Sequence, residues 1–276
     1  MADAVREAIA AGSPRIAVSG GDGTIAAVAS VVLGTPVELA VIPGGTLNHF
    51  ARDYESPHDP GRAVALALAG RARPVDIGTV NGRVFINTSS VGAYVTFVRT
   101  RERIERWAGY RLASLVAALR IWPRLRSFRT SVNTPQEAIV TQASLVFVGV
   151  GERSLELPNV GARTHGGVRA LHVVLVHGRG SVRRWARAFD RATYGDTGAG
   201  RAPPRVAASS AADRPRAAVP GRHQFQTALV DASLVDACRV DLPRPRGNVS
   251  LDGEIVSLEA PLAYEIRRDA LRVVMP

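Results

Sequence analysis

Apolar and polar positions alternate with two different rhythms along this chain, and the change falls near residue 78. In the first part, short apolar runs give way to glycine turns and then to stretches with apolar residues at helical spacing. Arg15-Ile16-Ala17-Val18 runs into Ser19-Gly20-Gly21-Asp22-Gly23-Thr24 and then into the almost wholly apolar Ile25–Leu33. Val37–Ile42 runs into Pro43-Gly44-Gly45-Thr46-Leu47-Asn48 and then into His49-Phe50-Ala51-Arg52. Each pattern predicts strand, turn and helix. Two such units in succession predict a parallel sheet with right-handed crossovers. Both turns then lie at the carboxyl ends of their strands, where open α/β sheets bind ligands. Helices are predicted over 3–12, closed by Gly12-Ser13-Pro14, and over 60–69, stopped by Gly70.

The second rhythm is shorter. Segments 74–80, 84–87 and 93–98 are rich in β-formers, and Asn81-Gly82 between apolar runs is a hairpin signal. Residues 99–129 predict one long basic helix or a helical pair, with Leu112, Leu115, Val116, Leu119 and Trp122 at helical spacing. Strands are expected over 144–150, 170–176, 234–242, 264–266 and 271–275, with a helix over 181–192. A further strand runs through Asn248-Val249-Ser250-Leu251 into the turn Asp252-Gly253-Glu254. Residues 194–221 are rich in Gly, Pro, Ala, Ser and Arg with few large apolar residues, and predict a mobile insertion. Many short strands with turn punctuation predict an antiparallel sandwich or barrel. The expected organisation is an α/β nucleotide-binding lobe over 1–78 and an antiparallel β-sandwich lobe over 79–276, with the boundary near Asp76–Asn81.

Composition narrows the chemistry. The 276 residues are 46% hydrophobic, enough for a sizeable core, and Cys238 is the single cysteine. An internal disulfide and a cysteine zinc site are therefore excluded, and a reducing compartment is expected. No apolar run approaches the ~20 residues of a membrane span. Net charge is +11, and all 35 residues counted as Lys+Arg are arginine. Without lysine a Walker-type P-loop is excluded. The charge suits an anionic membrane surface or nucleic acid. The tryptophans interleaved with arginines over 99–129 favour the membrane surface, and no nucleic-acid-binding motif accompanies the charge.

Glycines in the first turn allow close backbone approach to a ligand, and the helix start behind it favours an anion. Asp22 amid that turn makes sense if a metal ion or a reacting hydroxyl shares the site. Thr46 and Asn48 offer a hydroxyl and an amide beside it. Asp252 and Glu254 are two apart. In a strand both would face one side, whereas in a turn they diverge, and the spacing alone does not choose between them.

With these stretches together the chain resembles the diacylglycerol kinase catalytic family, which includes sphingosine and ceramide kinases and bacterial lipid kinases. Gly20-Gly21-Asp22-Gly23-Thr24, Pro43–Ala51 and Leu251-Asp252-Gly253-Glu254 carry the likeness, with weaker support from Phe85–Gly92 and Ala270–Pro276. The resemblance implies transfer of the γ-phosphoryl group of ATP, with Mg²⁺, to a lipid hydroxyl in a cleft between the two lobes, by a cytoplasmic protein peripheral to the membrane. It implies that Gly20, Gly21, Asp22, Gly23, Thr24, Gly44, Gly45, Thr46 and Asn48 hold the nucleotide. Asp22 would work through magnesium, and Asp252 or Glu254 would take the proton of the lipid hydroxyl. Two departures from the family pattern stand out. A leading strand–helix unit with its Asn-Pro-x-Ser-Gly turn is expected to be missing. Thr164–Arg169 also lacks the carboxylate that helps to hold a structural magnesium. Two other readings remain: a catalytically inactive lipid-binding or regulatory relative, and an NAD kinase-like enzyme, which shares the Gly-Gly-Asp-Gly turn.

Overall fold

In the computed structural model, residues 1–45, 48–92, 127–134, 138–155, 162–177, 222–226 and 230–276 are described. The expected helix over 99–129 lies largely outside them, and the helix over 181–192, the strand over 93–98 and the insertion over 194–221 lie wholly outside.

The first lobe follows the pattern. Strand β1 (Arg15–Gly20) pairs in parallel with β2 (Glu38–Pro43), in a register that sets Gly20 opposite Pro43. Helix α1 (Ala2–Ala10) and α2 (Asp22–Val32) precede and follow β1. α2 buries Ile25, Val28, Ala29 and Val32, the i, i+3, i+4, i+7 stripe of a core-facing helix. Two further helices are α3 (His49–Asp53) and α4 (Pro60–Ala69). α4 starts on a side-chain cap, Asp59 accepting from the Arg62 amide at 2.8 Å, with Pro60 in the first turn. Its far end is closed from β1: the Arg15 guanidinium donates to the carbonyls of Ala67 (2.7 Å) and Gly70 (3.0 Å) while pairing with Glu38.

The second lobe is antiparallel. It comprises β3 (Arg71–Val80), β4 (Arg83–Phe85), β5 (Thr88–Gly92), β6 (Phe128–Asn133), β7 (Ala138–Val150), β8 (Leu171–His177), β9 (Arg222–Gln226), β10 (Val230–Val235), β11 (Ala237–Asp241), β12 (Arg246–Leu251), β13 (Glu254–Glu259) and β14 (Leu262–Met275). The hairpin signal at Asn81-Gly82 is the β3–β4 turn, with both residues at positive φ. A core of Val80, Phe85, Val146, Val148, Leu171, Val173, Val240, Val249 and Tyr264 fills this lobe.

Three features depart from the sequence pattern. Thr88–Gly92, which lies between the segments 84–87 and 93–98 expected to be β-rich, is itself a strand held between β12 and β7; its buried Ser89 hydroxyl is paired with the Tyr264 hydroxyl at 3.0 Å. β6 begins at Phe128, where the basic helix was expected to end. β14 is one long strand rather than two, with a register shift between Arg267 and Leu271 and Asp269 at positive φ. Its end pairs in parallel with β2, and Leu271 and Val273 join the first lobe's core with Val75, Ile77 and Ile86. The closing residues, expected in the second lobe, thus complete the sheet of the first.

Candidate functional site

The β1–α2 turn and the turn after β2 pack backbone on backbone. The Gly44 amide donates to the Gly20 carbonyl at 3.0 Å, and a Cβ on Gly45 would fall 2.5 Å from the Cα of Gly21. A side chain at Gly45 would therefore force the two turns apart. Two further interactions set the second turn. Asn48, at φ 50° and buried, closes on Gly45 in both directions: Oδ1 accepts from the Gly45 amide at 2.8 Å, and Nδ2 donates to the Gly45 carbonyl at 2.7 Å. Asp22 reaches across from the first turn. Its two oxygens accept from the amides of His49 (3.0 Å) and Phe50 (2.8 Å), which caps α3 from outside its own segment. Asp22 and Asn48 thus hold loop geometry with the same atoms that were expected to face the nucleotide and its metal. Thr46 lies outside the described residues.

The late acidic motif is a two-residue hairpin. Leu251 pairs with Glu254, so Asp252 and Gly253 alone form the turn, both at positive φ. The turn makes the two carboxylates diverge. Asp252 points inward, and its oxygens accept from the amides of Ile86 (2.8 Å), Asn87 (2.8 Å) and Thr88 (2.9 Å). Burial pushes its pKa up to about 6 against the opposing pull of those three amides, and the charge of Asp22 adds to the rise. Glu254 is exposed, and among the described residues no hydrogen bond or ion pair engages its side chain. Its Oε1 lies where a Cβ on Gly23 would come within 2.5 Å. The first glycine turn and the late acidic turn, from opposite ends of the chain, therefore touch.

The start of α2 suits an anion. α2 begins immediately behind Gly21, and its first amides stand at the mouth of the two glycine turns. Among the described residues no group of three or more His, Cys, Asp or Glu could hold a metal by itself. A structural magnesium does not fit before β8. There the Arg169 guanidinium, itself a cation, bridges buried Asp76 (Nε to Oδ2 2.8 Å) and Asp269 (Nη2 to Oδ1 2.6 Å). The cationic place is filled by the side chain. Burial alone would raise the Asp76 pKa, but the bonds from Arg169 and the Asp269 amide, with the guanidinium charge, hold it below the usual range. His165, in the same loop, pairs with Glu55 at 3.2 Å on the surface.

One part of the site carried no sequence signal. Arg153, almost wholly buried, donates through Nη1 to Asp53 at the end of α3 (2.8 Å) and through Nη2 to the carbonyls of Val150 (2.9 Å) and Asn87 (3.2 Å). Beside it Arg163 lies over the Tyr54 ring, 5.0 Å from the centroid, and donates to its hydroxyl.

Residues 1–80 match the family described as the diacylglycerol kinase catalytic domain. A protein of Pseudomonas aeruginosa (strain UCBPP-PA14) named "Probable lipid kinase YegS-like" is 42% identical over 109 residues, covering 38% of this chain and 35% of that protein. A protein of the same name from Cronobacter sakazakii is 31% identical over 153 residues, covering 53% and 50%. The matched stretch thus spans between about a third and a half of these relatives. A crystal structure of a diacylglycerol kinase from Bacillus anthracis str. Sterne superposes with a TM-score of 0.61 at 20% identity, covering 100% of this chain and 82% of that one. It shares the two-lobed fold.

Proposed function

Since the chain belongs, through its first 80 residues, to the diacylglycerol kinase catalytic domain family, we propose that it is an ATP- and magnesium-dependent kinase that phosphorylates a lipid hydroxyl. The observation that carries this reading is the contact of Glu254 with Gly23. It sets an uncommitted carboxylate at the edge of a phosphate-type turn. Phosphoryl transfer needs positioning, charge neutralisation and one carboxylate to orient the attacking hydroxyl.

The roles follow from the environments. Backbone amides at Gly21–Thr24 cradle the phosphates, while Gly44-Gly45, whose amides are taken by Gly20 and Asn48, lets the second turn pack close without side chains. Magnesium, when bound, would supply neutralisation of the phosphate charge, and Asp22 and Glu254 would be the carboxylates to hold it. Asp22 also fixes the second turn through His49 and Phe50. Glu254, rather than Asp252, accepts the lipid hydroxyl's proton, because the oxygens of Asp252 already receive three amides. The acceptor is a lipid at an anionic membrane face, in keeping with the net charge of +11; no helix among the described residues is long and apolar enough to cross a membrane.

The test is transfer from γ-labelled ATP, with magnesium, to a total lipid extract. The wild-type chain is expected to give a labelled lipid, and Glu254→Gln to lower the rate by about 10²–10⁴-fold, the usual worth of a positioned general base. No labelled lipid from wild type overturns the reading. Vesicle binding without transfer would then leave the inactive relative, and NADP formed from NAD would leave the NAD kinase-like enzyme.

A further inference from the structure

The two halves of the proposed site belong to different lobes, and the distance between them must be fixed by something. We propose that Arg153 is a positioning residue that sets the Asp22 turn against the Asp252–Glu254 turn. A continuous series of bonds joins them through its guanidinium. Asp22 holds the start of α3 by the His49 and Phe50 amides. Asp53, the last residue of that five-residue helix, accepts from Arg153 Nη1 at 2.8 Å. Arg153 Nη2 donates to the Asn87 carbonyl, and the Asn87 amide donates to Asp252 Oδ1 at 2.8 Å. Glu254 closes the circuit where it meets Gly23.

The chemistry requires arginine. A planar fork can address a carboxylate and two carbonyls in fixed directions at once, whereas an ammonium is a single point of charge. The Arg153 and Asp53 side chains are only 2% and 12% exposed. Removing either partner leaves the other buried and uncompensated, so the link does not open on its own. The backbone of Arg153 is also tied down, its amide donating to His172 Nδ1 at 2.9 Å. Tyr54 and Arg163 pack on the same junction. α3 can therefore neither slide nor rotate without disturbing the Asn87 peptide.

The kinetic arm of the test rests on the proposed kinase reading; a spectroscopic arm does not. In the full chain, Arg153→Met, Arg153→Lys and Asp53→Asn are compared with wild type. The amide ¹H–¹⁵N resonances of His49 and Phe50 on one side, and of Asn87 and Thr88 on the other, are expected to move together in Arg153→Met and in Asp53→Asn. In the transfer assay, kcat is expected to fall about 10²-fold, the cost of a misplacement near 1 Å, with KM for ATP within about twofold, and Arg153→Lys is expected to recover less than a tenth of the loss. Asp53→Asn, which keeps an isosteric acceptor oxygen, serves if Arg153→Met does not fold. Shifts confined to one side of the junction overturn the proposal. So does a rise in KM for ATP at unchanged kcat. If wild type transfers no phosphate, the kinase reading fails and the amide shifts alone decide whether Arg153 couples the two turns.

Discussion

Asp252 and Glu254 are separated by one glycine and live in opposite environments. Asp252 has a left-handed backbone (φ 48°), a place where a short polar side chain is tolerated. Its charge is disfavoured by burial, so its folded pKa of about 6 lies above the unfolded carboxylate value. The folded state then binds more protons between those two values, and this group's contribution to stability falls as pH rises from about 4 to about 6. Denaturant unfolding of wild type and Asp252→Asn across that window is expected to show the slope in wild type and its loss in the variant. At neutral pH Asp252→Asn is also expected to cost about 1–3 kcal/mol, because an amide nitrogen then faces backbone donors. Glu254→Gln is expected to leave stability within about 0.5 kcal/mol, as suits an exposed position.

The glycine turns are legible as elements, but their partners are not. Strand, glycine turn and helix follow from the order of residues at 15–33 and 37–52. That Gly45 must pack on Gly21 does not. An added methyl at Gly45 meets backbone 2.5 Å away, whereas one at Gly21 meets the Gly45 Cα at 3.3 Å. Gly45→Ala is therefore expected to cost about 1–3 kcal/mol and more than Gly21→Ala, read as a lowered urea midpoint at unchanged m-value. Gly23 behaves differently. It lies inside α2, where alanine is the better helix former, and its obstacle is the flexible end of Glu254. Gly23→Ala is expected to hold or gain stability while displacing Glu254, so that activity drops and the unfolding midpoint does not. β5 shows the limit of pattern reading. Ser89 and Ser90 look like turn residues, but the strand is set by its pairing with β12 and β7.

At the scale of the whole molecule, the lobes are joined by strand continuity and by buried ion pairs. β14 carries the chain from the antiparallel lobe back beside β2, so that β1 and β2 are continuous with the antiparallel strands in one sheet. The Arg169 bridge fixes the bend in that strand: Asp76 on β3 receives both the guanidinium and the Asp269 amide, the latter at 3.0 Å. Arg169→Ala is expected to lower stability by about 1–3 kcal/mol. That is less than the loss of a fully buried pair, because Arg169 is half exposed while Asp76 is not. With the cation supplied by a side chain, chelation with EDTA is expected to leave the wild-type melting temperature unchanged.

The order of residues alone determined the two lobes, the two glycine turns and the acidic hairpin as candidate chemistry, because helix and strand periods and turn residues act over a few neighbours. Which of Asp252 and Glu254 is engaged by backbone needed the tertiary structure, since it depends on the amides of Ile86, Asn87 and Thr88 at the β4–β5 junction, far away in the sequence. The same holds for Asp22 and Arg153. Their side chains are claimed by backbone groups brought close only when the chain closes on itself, and a buried polar atom takes the partner that folding presents.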